Sequence, residues 1–443
     1  MSCIRPGIED RELSSSTREN SSWAPLRRPL YRALWIATLV SSIGTWMHEV
    51  GAGWLMVTLN PSPVMVALVQ AATALPAFLL SVPAGALADI VDRRRYLIVA
   101  QLWMLGCAAL LGALTIAGAI GAALLLGLTF ALACGAAMMT PAWAATVPEL
   151  VPREELAAAI ALNSTSVNVA RAIGPAIAGV LVAAAGPAAA FLVNACSFVG
   201  VIAVLARWQR TRRSNEAGEA FFSAMRSGLR YVRAAPRLQA VMVRGLTFFA
   251  CGSAMWALLP LIARGAGGGA RTYGLFLTCI GTGAVCAAVL LAPLRVRWSR
   301  DRLVQGASVL LAAMMSVLAY AHTLYVLIPA MLLTGVAWLT VLSSLHVSAQ
   351  IAVPGWVRAR ALSVYIVMLS LGMSAGAALW GAIAARTSVS TALVAAASGA
   401  VLAVWLTRRF SLGAQDATAV EDTAADSQRG SGLPVSTAHR GTP

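Results

Sequence analysis

Runs of about 20 apolar residues recur along the chain from Leu30 to Leu406, and they constrain its fold more than any other feature. A helix rises about 1.5 Å per residue, so each run is long enough to cross a hydrocarbon core of ~30 Å. Polar or Gly/Pro breaks divide these runs into about twelve spans. Only 11% of the residues are charged, whereas soluble domains carry about 25%. The pattern predicts an all-α integral membrane protein with twelve transmembrane helices.

All of the basic side chains apart from four histidines are arginines, and their placement predicts an orientation. They collect before the first span, after the second, between the sixth and seventh, and after the eighth, tenth and twelfth. The opposite connections hold only Arg264, Arg271 and Arg386. The positive-inside rule then places both termini of this multi-pass protein in the cytoplasm. The net charge of +16 therefore reflects topology and does not favour nucleic acid as a partner.

The spans fall into two groups of six, separated by the longest polar connection. The predicted units are a cytoplasmic lead without a removable signal peptide at 1–29, a six-helix bundle at 30–206, a cytoplasmic linker with an amphipathic helix at 207–236, a second six-helix bundle at 237–410, and a disordered cytoplasmic tail at 411–443.

The two halves also resemble each other in sequence. The segment VPREELAAAIAL at Val151 recurs as VPGWVRARALSV at Val353, an offset of 202 residues. Gly174 and Gly179 have counterparts at the same offset. A parallel repeat of six plus six helices is the architecture of major facilitator transporters, which handle substrate between the halves.

The segment GALADIVDRRRYL after the second span resembles the signature loop of the major facilitator superfamily. The residues at its positions are Gly85, Leu87, Asp89, Arg93 and Arg94. The glycine allows close helix approach, and the aspartate can pair with the arginines to latch the cytoplasmic mouth. The segment departs from the family pattern at Ile90 and Asp92, so we expect a different turn, with Asp92 capping the next helix.

The fifth span contains NVARAIGPAIAG, in which Gly174, Pro175 and Gly179 resemble the Gly-Pro motif of proton-coupled antiporters in this superfamily. A kinked, closely packed helix without coupling explains the same residues. Over residues of about 26–410 the chain is similar to the transmembrane secretion effectors, the branch that includes the enterobactin exporter. The resemblance implies proton-driven export of a small molecule, such as a siderophore, a drug or a secondary metabolite, by alternating access.

Two ionisable residues, His48 and Glu49, interrupt the first span. Glu49 lies roughly 25 Å beyond Arg32, near the membrane midplane, and Arg171 reaches a similar depth in the fifth span. We predict a pair between Glu49 and Arg171, with protonation of Glu49 releasing the arginine. Two alternatives stay open: a permanent structural pair, and direct binding of a cationic substrate group by Glu49. His48 is a candidate proton relay, or a histidine that hydrogen-bonds at a helix contact.

Several further residues are candidates for the pathway. Ser164, Asn168 and Arg171 form a polar stripe, which lines the pathway or makes interhelical hydrogen bonds. Six tryptophans offer stacking surface or interfacial anchors: Trp46, Trp54, Trp143, Trp256, Trp338 and Trp380. Arg244 and His346 lie near the predicted cytoplasmic mouth, where we interpret them as snorkelling or gate residues.

Enzyme chemistry has no support in the sequence. Zinc-spaced Cys/His sets and nucleophile elbows are absent, and a chain without lysine has no P-loop. We therefore predict no metal and no cofactor. The family resemblance implies the proton gradient as driving force and a location in the bacterial cytoplasmic (inner) membrane. We expect the lipid bilayer, protons and a small molecule as partners of a functional monomer. The alternatives are a non-transporting sensor or immunity protein on the same fold, or an importer or uniporter of a small metabolite.

Overall fold

The computed structural model describes residues 23–208, 230–354, 357–410 and 412. Twelve long α-helices lie within these residues: α1 Pro29–Leu59, α2 Pro63–Ile90, α3 Arg93–Ile116, α4 Ala122–Leu150, α5 Leu156–Ala185, α6 Pro187–Arg207, α7 Pro236–Gly265, α8 Ala270–Arg297, α9 Arg300–Tyr320, α10 Leu324–Ile351, α11 Arg358–Arg386 and α12 Val389–Thr407. Eleven are long and apolar enough to cross a membrane. The other, α1, has 31 residues and contains His48 and Glu49. The predicted all-α membrane fold is confirmed.

The helices alternate in direction between two ends of the bundle. We call the end where α1 begins and α12 ends the terminal end, and the opposite end the distal end. Three distal connections contain a glycine with positive φ, at Gly118 (65°), Gly186 (80°) and Gly267 (72°). A side chain with a Cβ is strained in that conformation, so glycine permits these short turns. Pro63 and Pro187 occupy the first helical positions of α2 and α6, where a missing N–H costs nothing.

Helix packing repeats between the halves. In the first half α1 packs on α5 and α6, α2 on α4, and α3 on α4 and α6. The corresponding pairs recur six helices later, with α7 on α11 and α12, α8 on α10, and α9 on α10 and α12. The two six-helix bundles meet mainly through α2 against α11 and α5 against α8. This is the arrangement that the parallel sequence repeat predicts.

A buried arginine joins three helix ends of the second half. Arg244 on α7 is 3% exposed, and its NH1 lies 2.6 Å from Oδ1 of Asp301 at the start of α9. Its Nε and NH2 donate to the carbonyl of Thr407 at the end of α12, at 3.3 and 3.2 Å. The backbone N–H of Leu412 donates to the same aspartate at 3.2 Å. The prediction of a snorkelling side chain at Arg244 is therefore wrong, because its charge is satisfied inside the bundle.

The predicted domain boundaries stay predictions. The amphipathic helix expected in the linker falls mostly on residues 209–229, and the lead and the tail fall mostly before 23 and after 412. These segments lie outside the described residues.

Candidate functional site

The two halves approach each other most closely through bare backbone near the distal end. A Cβ added at Gly179 of α5 would lie 3.1 Å from the Cα of Gly274 on α8. Across the other contact, a Cβ at Gly381 of α11 would lie 3.1 Å from the carbonyl oxygen of Pro63 on α2. Glycine at these positions allows helix backbones to touch and closes the space between the halves at this end.

The Gly-Pro motif of α5 takes part in two close helix contacts, one with the second half and one within the first half. Pro175 has no N–H to donate to the carbonyl of Arg171, one turn earlier. Gly281 of α8 packs against that carbonyl, because a Cβ there would lie only 2.9 Å from the oxygen. On another face of α5, Gly174 packs against α1, where an added Cβ would lie 2.6 Å from the Cβ of Trp46. The motif thus fits α5 tightly against both α1 and α8.

Between the halves lies a small cavity of about 40 Å³. Helices α1, α2 and α4 of the first half line it together with α7 and α8 of the second. Among the described residues that line this cavity, Glu49 has the only charged side chain. The polar and aromatic side chains around it include Trp46, Gln70, Trp256 and Tyr273. A cavity shared by the two halves, with few polar groups on apolar walls, is typical of a small-molecule site.

The predicted partner of Glu49 lies beside this cavity. The Arg171 guanidinium carbon lies 5.6 Å from the centroid of the Trp46 ring, in a cation–π contact. Glu49 and Arg171 are close enough to interact electrostatically. No direct hydrogen bond joins them in the described structure, and Nε of Arg171 is buried without a hydrogen-bond partner there. Their role as a coupling pair stays a prediction.

His48 lies on the neighbouring face of α1 and is 2% exposed. Its ring is 4.8 Å from the ring of Phe191 on α6, so it lies at a helix contact. Neither ring nitrogen has a hydrogen-bond partner among the described groups. The hydrogen-bonded alternative for His48 is therefore not what the structure shows. The ring instead forms part of the cavity wall.

The polar stripe of α5 lies outside the central cavity. Ser164 and Asn168 are exposed and donate within their own helix, Ser164 to the carbonyl of Ile160 at 3.1 Å and Asn168 to that of Ser164 at 3.0 Å. These two side chains therefore do not make the hydrogen bonds between helices that were the alternative to lining the pathway. The role of these side chains in a pathway stays a prediction.

Of the two tryptophans proposed to line the pathway, Trp46 faces the cavity and Trp338 does not. Trp338 is 7% exposed, and its ring centroid lies 5.2 Å from that of Phe248 and 5.4 Å from that of Trp256. It packs behind Trp256, which is the ring that reaches the cavity. Trp338 therefore supports the wall instead of forming it.

The signature loop between α2 and α3 contains the predicted cap. The Oδ1 atom of Asp92 accepts a hydrogen bond from the backbone N–H of Arg95 at 3.0 Å, which begins α3. The close approach expected at Gly85 is not observed, since an added Cβ there would meet no described atom within 4 Å. Leu87 is 37% exposed. The side chain of Asp89 lies outside the described part of the structure, so its latch role stays a prediction.

Two arginines of this loop bind within the first half. NH1 of Arg93 lies 2.6 Å from Oε1 of Glu149 near the end of α4. Arg94 donates to the carbonyls of Leu205 and Ala206 at the end of α6, at 2.8 and 2.5 Å. A cation at a helix C-terminus satisfies carbonyls that have no helical partner. The start of α3 is thereby attached to α4 and α6.

The sequence profile of the transmembrane secretion effector family matches residues 20–433, which is nearly the whole chain. The chain belongs to this family. This match confirms the resemblance predicted from the sequence.

Two curated relatives of this chain are named as transporters. One is the staphyloferrin A transporter of Staphylococcus aureus (strain NCTC 8325 / PS 47), 26% identical over 253 residues, which cover 56% of this chain and 63% of the relative. The other is an uncharacterised transporter of Bacillus subtilis (strain 168), YfiS, 25% identical over 228 residues, which cover 48% of this chain and 53% of the relative. The chain thus matches between half and two thirds of the length of each.

Solved structures show the same fold. A bacterial homologue of the human lysosomal transporter Spinster, inward-facing and unoccupied, has a TM-score of 0.70 at 16% identity and covers 87% of this chain and 98% of its own. The nucleoside transporter NupG has a TM-score of 0.67 at 12% identity and covers 86% of this chain and 99% of its own. At these identities the similarity shows the major facilitator fold alone.

The sequence did not indicate every cavity residue of this secretion effector. Gln70 and Thr73 of α2, Thr129 of α4 and Tyr273 of α8 all line the cavity. Each is an isolated polar residue in an apolar run, so local spacing gave no signal. The parallel repeat was the available guide, because it places α1, α2 and α4 opposite α7 and α8.

Proposed function

We propose that this chain exports a small molecule from the bacterial cytoplasm by proton-coupled alternating access, as a monomer. The observation that carries the proposal is the position of Glu49 in a cavity shared by both halves. The family match to secretion effectors supports the direction. The relative named as a staphyloferrin A transporter supports a small organic substrate.

The packing supports a conformation that loads substrate from the cytoplasm. Near the distal end the halves touch through Gly179 and Gly274 and through Gly381 and Pro63, which supports closure on that side. Toward the terminal end, Ser164 and Asn168 of α5 are exposed. The arginine-rich connections support a cytoplasmic location for this end. A substrate would then enter from the terminal end and leave after the distal contacts separate.

Coupling to protons follows from the position of Glu49. In the inward conformation its carboxylic acid releases a proton to water on the cytoplasmic side, which leaves a carboxylate that interacts with Arg171 and with substrate. After the halves rearrange, the carboxylate of Glu49 takes up a proton from the outer side, which weakens its attraction for the guanidinium of Arg171. Each cycle then moves one substrate outward and one proton inward.

Inverted membrane vesicles test this proposal directly. Their lumen is acidified, and a panel of siderophores and amphipathic drugs is added outside while lumenal pH is recorded. We expect a compound to release protons from wild-type vesicles, and Glu49→Gln to abolish the release. The matched control is Glu154→Gln, because Glu154 is an exposed carboxylate at the start of α5.

Three outcomes would contradict the proposal. Normal coupling in Glu49→Gln would make Glu49 a structural residue. Binding without any flux in the wild type would indicate a sensor or immunity protein. Flux of a compound out of inverted vesicles, toward the side equivalent to the cytoplasm, would indicate an importer.

A further inference from the structure

We propose that Tyr273 and Arg264 of the second half form a distal seal, which keeps the carboxyl group of Glu49 from outer water while the terminal end is open. The inference rests on the proposed function, because it takes Glu49 as the proton site. It follows from three positions on α1 and from the second-half side chains that meet two of them.

The first argument is one side of α1. Glu49, Gly53 and Val57 are spaced four residues apart, so they follow one another along that side of the helix. Because α1 runs from the terminal end to the distal end, Gly53 lies about 6 Å and Val57 about 12 Å beyond Glu49 on the distal side. A proton that approaches Glu49 from the distal end along this side passes both positions.

Tyr273 of α8 covers the first of these positions. A Cβ added at Gly53 would lie 3.0 Å from the hydroxyl oxygen of Tyr273 and 3.2 Å from Cε1 of its ring. The ring therefore lies directly on bare α1 backbone, a contact that glycine permits. Tyr273 is 7% exposed and lines the central cavity together with Glu49. The ring thus closes the cavity about one helical turn beyond the carboxyl group.

Arg264 of α7 covers the second position. Residue 61 is a proline without an N–H, so the carbonyl of Val57 lacks the donor that a continuing helix would supply. NH1 of Arg264 donates to this carbonyl at 3.1 Å, and the hydrogen bond joins the two halves. Arginines are rare in the predicted outer connections, and this contact gives a physical reason for one there.

Neighbouring contacts hold both sealing residues in place. Leu261, which precedes Arg264 on α7, packs against a first-half cluster that contains Leu55. Gly274, which follows Tyr273, packs against the backbone of α5. The end of α7 and the start of α8 are thereby fixed against the first half around the seal.

The seal differs from the other groups around Glu49 in where it belongs. Among the described titratable groups near Glu49, Arg171 and His48 belong to the first half and Tyr273 to the second. Arg171 and His48 therefore stay with Glu49 when the halves rearrange, whereas Tyr273 and Arg264 move away from it. Their departure opens the distal side of the carboxyl group to outer water.

A proton leak without substrate tests the inference. If the seal fails while the terminal end is open, Glu49 is reachable from both sides at once and carries protons down their gradient. The purified full chain is reconstituted into liposomes that contain a pH-sensitive dye, and potassium with valinomycin clamps the membrane potential. We expect the leak per molecule to be at least about tenfold faster in Tyr273→Ala than in the wild type. Tyr273→Phe keeps the ring on Gly53, so its leak should stay within about twofold of the wild type.

A double variant separates the seal from a general loss of structure. In Glu49→Gln/Tyr273→Ala the leak should return to within about twofold of the wild type, because the proton carrier is gone. A pore opened by misfolding would instead conduct protons whatever residue stands at position 49. An equally fast leak in the double variant and in Tyr273→Ala would therefore overturn the inference.

Arg264→Ala tests the second contact. It removes a hydrogen bond from a charged donor, so we expect the ratio of distally closed to distally open molecules to fall roughly ten- to hundredfold, with a faster leak. The matched controls are Arg386→Ala, an exposed arginine at the distal end of α11, and Tyr320→Ala, a tyrosine that is 71% exposed at the distal end of α9. If Tyr273→Ala does not fold, Arg264→Ala with and without Glu49→Gln provides the same test.

The two proposals fail separately. If the variants leak through Glu49 and no compound drives proton release from wild-type vesicles, the export mechanism is wrong and the seal stands. If a compound drives coupled proton release in the wild type and neither Tyr273→Ala nor Arg264→Ala leaks, the seal is wrong and export stands.

Discussion

The contact between Gly179 and Gly274 allows a quantitative test of how the distal end stays closed. In Gly274→Ala the new Cβ would lie 2.5 Å from the carbonyl oxygen of Pro175 and 2.7 Å from the Cα of Gly179. Non-bonded carbon atoms prefer about 3.5 Å or more, so α8 must move away from α5 by ~1 Å. Both obstructing atoms belong to backbone, so a side-chain rotation cannot relieve the overlap.

Overpacking of this kind costs about 1–3 kcal/mol. The cost applies only while the two backbones touch, because the distally open conformation separates them. The ratio of distally closed to distally open molecules should therefore fall roughly 5- to 150-fold. The matched control is Gly127→Ala, since a Cβ there meets nothing within 4 Å. Both glycine-to-alanine changes raise helix propensity by the same amount, so the difference between the two variants measures the cost of the backbone overlap at Gly274.

Distances across the distal end measure this ratio. Spin labels are attached at Ala119 and Thr323, which are exposed residues in distal connections of opposite halves. The native cysteines are replaced first, and double electron–electron resonance then gives the distance between the two labels. We expect a longer-distance population in Gly274→Ala and none in Gly127→Ala. Identical distance distributions in wild type and Gly274→Ala would refute the argument that backbone contact holds this end closed.

Three further substitutions test contacts outside the cavity. Arg244→Ala leaves Asp301 without its buried cation, so we expect the free energy of unfolding to fall by about 3–5 kcal/mol. Denaturant unfolding in detergent measures this loss. A change under about 1 kcal/mol would show that the pair is dispensable. Asp92→Ala removes a helix cap and should cost about 0.5–2 kcal/mol, whereas Asp92→Asn should cost little in the same assay. Arg28→Ala breaks an ion pair with Glu155 that is half exposed, so its effect should stay below about 1 kcal/mol and shrink in high salt.

The helices were predictable because their signal is local. Each apolar run must be a helix to satisfy its backbone in a bilayer, so length and hydropathy are enough. The repeat at Val151 and Val353 added the pairing of the halves, and the departure at Asp92 indicated the cap. These features depend on residues that are neighbours in sequence or occupy equivalent positions in the two halves.

The site was less predictable because its residues come from five helices. Whether Gln70 or Tyr273 faces the cavity depends on the rotation of each helix about its axis, which packing of the whole bundle decides. Trp338 and Trp256 look alike in sequence, yet one lies behind the other. Arg244 resembled an interfacial cation because its partners lie in two later helices.

That last contact has a consequence for how the protein is made. The ribosome delivers Arg244 within α7 well before Asp301 emerges. The carbonyl of Thr407 is made 163 residues after Arg244. Until Asp301 is made, the membrane-inserted intermediate holds a guanidinium without its counter-ion, and until Thr407 is made that group still lacks its carbonyl acceptor. An arginine without these partners is expensive to expose to lipid. Synthesis of the final helix therefore supplies the last hydrogen-bond acceptor of Arg244, so the seventh helix is fully satisfied only when the whole second half has been made.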